Sequence, residues 1–216
     1  MPRAKSYDPG EALDAAVGAF WRAGYRGTSV ADLEEATGVN RFGLSTHFGG
    51  KPSLYVQCLD RYVAGVEATA WGPLKAGGLA GVRTFLAASV DPAAQPAAAA
   101  YGCLMVNALA EGTGDFAGPA AAAVRARLTG YVARLESLLA AALAAALLRG
   151  EVSAGFDAAG RAAQLTAFVL GAQARNRLFG DVAASAPAVR AALADLDAWA
   201  AEPPDTAPGP RPDRRE

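Results

Sequence analysis

The sequence predicts an all-α fold in two parts: an N-terminal three-helix unit built around a helix-turn-helix, and a larger C-terminal helical domain. Three observations carry this. Hydrophobic residues make up 52% of the 216 residues and charged residues 19%, enough apolar surface to fold around a core. Much of that apolar share is alanine, which loses no side-chain entropy in a helix. Apolar residues recur at helical spacing in one segment after another, with no strand alternation and no internal repeat.

The elements follow in order. Met1 to Pro9 carries Arg3 and Lys5 and reads as a loose arm. The first helix is expected from about Gly10 to Arg22, burying Leu13, Ala16, Val17, Phe20 and Trp21, with Gly24 stopping it from just beyond its end. Ser29 to Ala36 reads as a second helix, with Thr28 or Ser29 as its N-cap, because either hydroxyl can accept a bond from a free backbone N–H. Thr37-Gly38-Val39 is the turn, and Asn40 caps a third helix ending near Phe48. Gly49-Gly50 breaks the chain before a longer helix, about Lys51 to Ala70, with Leu54, Tyr55, Cys58, Leu59, Tyr62, Val63 and Val66 on one side.

Composition shifts at the glycine-rich stretch Trp71 to Gly81, so the junction belongs inside the fourth helix or just after it. The expected division is residues 1–63 and 64–201, followed by a disordered tail at 202–216, rich in proline and charge. Within the second part, helices are expected near Leu79–Ser89 and Tyr101–Glu111, separated by a Pro-Ala loop from Asp91 to Ala100. The longest helix, about Pro119 to Arg149, carries the stripe Val124, Leu128, Tyr131, Leu135, Leu138, Leu139 and Leu143. Asp157 to Phe179 and Pro187 to Ala201 complete the set.

Net charge is −1, so any nucleic-acid partner must be met by locally placed cations. Residues 1–63 hold seven basic and seven acidic side chains, and only their faces can separate them. Two cysteines, Cys58 and Cys103, are too few for a disulfide framework. Met1 to Gly10 has no apolar run of a signal peptide, and Ala140 to Leu148 is too short to span a bilayer. A cytoplasmic location without membrane contact is the default expectation. One histidine and isolated cysteines offer no metal cluster; GxSxG and a phosphate loop are missing too, so neither enzyme nor cofactor is expected.

Gly24 to Lys51 reads GYRGTSVADLEEATGVNRFGLSTHFGGK. Val30, Leu33, Val39, Leu44 and Phe48 can form a small core with Phe20, leaving the third helix free to enter a DNA major groove. Its candidate contacts are short or polar: Asn40, Arg41, Gly43, Ser45, Thr46 and His47. Arg41 can pair with guanine acceptors or sit on a phosphate, and Phe42 can touch a thymine methyl. Lys51 opens the next helix, where its charge and the free N–H groups favour a phosphate.

The pieces ALDAAVGAFWRAGYRGTSV, DLEEATGV and the HF-x-x-K of His47, Phe48 and Lys51 closely resemble the DNA-binding domain of the TetR/AcrR family of bacterial repressors. The resemblance covers about residues 10 to 63. It implies phosphate contacts at Thr28 and Ser29 and at Ser45, His47 and Lys51; Ser45 departs from the tyrosine usual there. It also implies a C-terminal ligand-binding and dimerisation domain, and a ligand-responsive dimeric repressor reading a palindromic operator in double-stranded DNA. YGCLMVNALAE, Tyr101 to Glu111, resembles a segment of some members.

The homodimer is expected through the last two helices, whose Ala167, Gly171, Ala172 and Ala191 allow close approach. Trp71, Phe85, Tyr101, Cys103, Met105, Tyr131 and Phe168 are the candidate lining of a pocket for a small apolar or aromatic ligand. Two alternatives stand beside this. One is a regulator sensing electrophiles or oxidants through Cys103, near a helix N-terminus. The other is a helical ligand-binding protein without DNA activity.

Overall fold

A computed structural model describes residues 7–94 and 97–200; the tail expected at 202–216 lies outside the described residues. Helix α1 spans Pro9–Gly27, α2 Val30–Thr37, α3 Arg41–Phe48 and α4 Gly50–Thr69. The second part holds α5 Gly72–Ala76, α6 Gly78–Ala88, α7 Leu104–Glu111, α8 Gly118–Leu148, α9 Ala158–Phe179 and α10 Ala186–Trp199. Single 3₁₀ turns at Ala97–Tyr101 and Val182–Ser185 precede α7 and α10. Among the described residues, β pairing is confined to one antiparallel bridge between Val152 and Ala200. The all-α expectation holds.

Local chemistry sets the helix ends. Asp8 caps α1 by accepting from the Gly10 and Glu11 N–H groups, at 2.7 and 2.9 Å. Regular helix stops at Gly24, whose φ of 75° and ψ of 176° kink the chain before one more turn. α1 buries Ala12, Ala16 and Phe20, while Leu13, Val17 and Trp21 are only half-buried. Phe20 is fully buried and packs edge-on to Tyr55 of α4 at 4.9 Å, a burial that stabilises the fold by roughly 2–3 kcal/mol.

α8 is the central element. Val124, Leu128, Tyr131, Leu135, Leu139 and Leu143 are buried along it, and it packs on α4, α5, α6, α7 and α9. By length and composition alone α8 is long and apolar enough to cross a membrane, but its buried stripe is that of a core helix. α4 crosses from the first part into the second without a break at 63–64, burying Leu54, Tyr55, Cys58 and Leu59 near its start.

Two boundaries differ from the expectation. The glycine-rich junction contains a helix of its own, α5, started by Pro73 and seated by the buried Leu74. α7 begins at Leu104 rather than Tyr101, because Gly102 sits at φ 74° and ends the preceding 3₁₀ turn.

Candidate nucleic-acid interface and ligand cavity

The reading unit is assembled by reciprocal caps. The Ser29 hydroxyl accepts from the Asp32 N–H at 3.1 Å, and the Asp32 carboxylate accepts from the Ser29 N–H at 2.7 Å. This capping box satisfies two free donors of α2, and the bonds from Ser29 hold the Asp32 carboxyl below its ordinary range. Gly38 closes α2 in the left-handed region at φ 67°. Asn40 then caps α3, accepting from the Gly43 N–H at 2.8 Å. A carboxylate oxygen of Glu34, on α2, accepts from the Arg41 N–H and fixes α3 against α2. Gln57 of α4 donates to the carbonyl of Phe48 at 3.0 Å, tying down the end of α3.

Leu33, Val39, Leu44 and Phe48 are buried beneath α3. Its outer face presents Arg41, Phe42, Ser45, Thr46 and His47, all exposed, together with Asn40 and Ser29 at the helix starts. Phe42 is 77% exposed, an apolar ring largely uncovered among the described residues. The Arg41 guanidinium has no ion-pair partner among the described residues.

Two candidate contacts are corrected. The Thr28 side chain is buried, and its hydroxyl donates to the Gly24 carbonyl at 2.6 Å, so it staples the kink instead of facing a phosphate. Gly43 is buried, and a Cβ there would lie 2.7 Å from Val39 Cγ1. Its value is that α3 can approach the turn closely.

Four neighbours of these residues were not among the expected ones. Tyr7 pairs its hydroxyl with His47 Nδ1 on α3. The Lys51 ammonium lies 4.2 Å from the centre of the Tyr25 ring, and partial burial lowers its pKa. Arg26 pairs with Asp115 of the loop before α8. That loop also sets Phe116 against Tyr25 at a tilt, with ring centres 4.2 Å apart. Tyr7 lies outside the quoted sequence pieces and Tyr25 within one of them, and the roles of both come from partners distant in sequence.

A cavity of about 740 Å³ lies where α1, α4, α5, α6, α8 and α9 converge. Of the candidate ligand residues, Trp71, Phe85, Cys103 and Tyr131 line it. Tyr101, Met105 and Phe168 do not: Tyr101 faces solvent, Met105 is fully buried in the core, and Phe168 is half-buried on α9. The wall also includes Asp14, Val17 and Trp21 of α1, Arg61 and Tyr62 of α4, and Gly102 and Gln173, none of them foreseen. Cys103 is buried at the N-cap of α7, its Sγ 3.5 Å from the Tyr131 hydroxyl. Burial, with Cys103 alongside, pushes the Tyr62 and Tyr131 phenols up. Burial likewise pushes up the Cys58 thiol.

Comparison with known proteins agrees with this arrangement. Residues 12–58 match the family described as bacterial regulatory proteins, tetR family, and residues 78–192 match the tetracyclin repressor-like C-terminal domain. The HTH-type transcriptional repressor ComR of Escherichia coli (strain K12) is 46% identical over 61 residues, 28% of this chain and 29% of that protein. The uncharacterized HTH-type transcriptional regulator YezE of Bacillus subtilis (strain 168) is 29% identical over 113 residues, 51% of this chain and 58% of that one. The chain thus spans less than two thirds of the length of either curated relative. Among solved structures, the TetR family regulator CifR, as a cysteine mutant complexed with 26-bp operator DNA, superposes with a TM-score of 0.73 at 24% identity. That match covers 91% of this chain and 99% of CifR. A TetR family regulator from Cytophaga hutchinsonii gives 0.74 at 18% identity, over 90% and 95%. These are likenesses of fold. The two domain matches together, running from the reading unit to α10, place the chain in the TetR family of bacterial transcriptional regulators.

Proposed function

We propose that this protein is a homodimeric, ligand-responsive transcriptional repressor that reads a palindromic DNA operator with α3. The observation that carries the reading is the outer face of α3. It is a row of short polar side chains around Arg41, whose guanidinium has no ion-pair partner among the described residues, and an exposed Phe42, held from below by caps and a small core. Such a face suits a major groove, with Arg41 and Phe42 reading base edges and Ser29, Asn40, Ser45, Thr46, His47 and Lys51 near the backbone. One reading helix contacts few bases. Two copies spaced by about one helical turn would read a palindrome.

The outward faces of α9 and α10 support the dimer. Ala163, Ala167, Gly171 and Ala174 on α9, and Pro187, Ala191, Ala194 and Ala198 on α10, are exposed and small. They offer a surface on which a second copy can approach closely. The cavity supports response to a small, largely apolar or aromatic ligand. Repression follows from occlusion of a promoter, and the site of action is the cytoplasm.

The test is selection of duplexes from a random library with the full chain, followed by fluorescence anisotropy across a salt series. The expected product is a palindrome bound by two protomers, with affinity falling steeply as salt rises. The Arg41→Ala, Lys51→Ala double variant should lose most of that affinity and flatten the salt slope. No enriched sequence, or salt-independent binding, overturns the proposal.

A further inference from the structure

The cavity crosses the boundary between the two parts of the chain, since Asp14, Val17 and Trp21 of α1 belong to its wall. Its polar groups are mostly spoken for. Arg61 holds Asp14 through two parallel bonds of 2.7 and 2.8 Å, so the wall's charges neutralise each other. Ser89 donates to the Leu86 carbonyl at 2.6 Å and Thr69 to that of Gly65 at 2.8 Å. The Gln173 amide, half-buried on α9, and the Trp71 indole N–H have no hydrogen-bond partner among the described residues. The rest of the wall is dominated by rings. Trp21 meets Tyr62 edge-on at 4.9 Å, and Trp71 meets Tyr131 at 5.5 Å. A charged ligand would leave water without a counter-charge to receive it, which is costly. A flat neutral ring system finds aromatic surfaces to stack on, with the Gln173 amide and the Trp71 indole N–H to orient it.

Trp21 has a second partner. Its indole N–H donates to the carbonyl of Gly102 at 2.6 Å, immediately before α7. Gly102 is at φ 74°, and a Cβ there would lie 2.8 Å from Arg177 Cβ and 2.9 Å from the Gln173 carbonyl. Arg177 of α9 donates to the carbonyls of Trp21 at 3.3 Å and Tyr101 at 3.0 Å. At the edge of the cavity, two side chains therefore tie together α1, the turn before α7, and α9.

We propose that the cavity takes a neutral, planar aromatic molecule hydrogen-bonded to Gln173, and that the Trp21–Gly102 tie transmits its presence to the reading unit. This rests on the protein being a ligand-responsive DNA-binding regulator. A ring stacked beside Trp21 contacts it differently when the tie is made and when it is broken, which is the condition for shifting an equilibrium between two positions of α1. By linkage the same factor appears in ligand affinity and in DNA affinity.

The probe is N-phenylnaphthylamine, a neutral flat molecule with a single N–H, compared with its charged analogue anilinonaphthalene sulfonate. Fluorescence titration of the full chain should give binding of the neutral probe at least about tenfold tighter than the sulfonate, and Gln173→Ala should weaken it. With the selected duplex, saturating probe should change the DNA Kd by a factor of about 5 or more, within the usual range of such couplings. Arg177→Met does not touch the cavity and should keep probe affinity while bringing that factor close to 1. Trp21→Phe, measured at saturating probe so that altered affinity is immaterial, should do the same.

Amide exchange gives a readout free of DNA. Probe should alter protection at Cys103, Leu104 and the last turns of α1 in the parent protein, and not in Trp21→Phe. Equal binding of the two probes, or no binding of the neutral one, overturns the ligand class. Unchanged coupling or unchanged exchange behaviour in both variants overturns the tie. Absence of selective DNA binding instead removes the regulator reading, while titration and exchange still decide the ligand class and the tie.

Discussion

The backbone N–H of Tyr25 donates to a carboxylate oxygen of Glu111 at 2.9 Å. Tyr25 lies just past the kink that turns α1 toward α2, and Glu111 is the last residue of α7. One hydrogen bond to a charged acceptor thus pins the entrance of the reading unit to the second part of the chain. Gly24 fits because any Cβ there would collide with that carboxylate.

Replacing Glu111 with Ala leaves the part-buried Tyr25 N–H without its acceptor. The expected cost is about 1.5–3 kcal/mol, the range for bonds to charged groups. It should appear as a lowered Tm and as faster amide exchange at Tyr25. Glu111→Gln keeps an acceptor and should recover part of both. Parent-like exchange at Tyr25 in the Ala variant would show that the bond does not hold the elbow.

Phe42 and Arg41 are adjacent on α3 and should fail differently. Phe42→Ala removes a ring that is already 77% exposed, so stability should move by less than about 0.5 kcal/mol. DNA affinity should fall without any change in salt slope, because no counterion release is lost. Arg41→Ala should either relax the selected sequence or reduce the slope, depending on whether it meets a base or a phosphate. Anisotropy at several salt concentrations separates the two.

Much of the reading unit was legible because it is written in short-range chemistry. The Gly24 break, the cap at Ser29, the Gly38 turn and the Asn40 cap each depend on a few adjacent residues; the sequence marked the Gly24 break, the Gly38 turn and the Asn40 cap, and left the cap of α2 open between Thr28 and Ser29. The direction of Thr28 and Gly43 was not legible. It depends on what lies beneath α2 and α3: the Gly24 carbonyl and Val39. The cavity was harder still. Size and softness picked out Met105, which the core absorbs, and missed Trp21 and Gln173, which join the wall through the packing of α1 and α9. The early start expected for α7 had a related cause: nothing local to Tyr101 reveals that Arg177 and Gln173 crowd Gly102 into a conformation that ends the turn.

The Asp14–Arg61 pair joins α1 to α4, and the Arg61 guanidinium holds the Asp14 carboxyl below its ordinary value of 3.8. A carboxyl depressed in the folded state contributes stability that is fully present at neutral pH. That contribution is lost as pH falls through the folded-state value. Both side chains are about half exposed, so the contribution should be below about 1 kcal/mol. Urea unfolding should show Asp14→Asn with a lower midpoint than the parent at about pH 7, and a gap that narrows as pH falls below the ordinary carboxyl value of 3.8. A gap that stays constant as pH falls would place the effect in packing.

Gly171 lies on the outward row of α9, and a Cβ there meets nothing within 4 Å in the protomer. Gly171→Glu should leave the protomer folded, even slightly favoured by helix propensity, while placing like charges in the proposed dimer seam. Sedimentation should show monomers, and operator affinity should fall by well over tenfold. An unaltered dimer would move the interface off this face.

The cluster formed by Tyr25, Tyr55 and Phe116 sets the boundary for any transplantation of the reading unit. Phe116 lies tilted against Tyr25 at 4.2 Å and near-parallel to Tyr55 at 5.6 Å, sheltering two aromatic rings of the N-terminal part with a side chain from the far side of α7. A fragment cut near residue 63 would leave those rings wet and Tyr25 N–H without Glu111. A chimera that grafts this unit onto another sensor must therefore carry residues 111–116 along with it, or supply an equivalent lid from the new host.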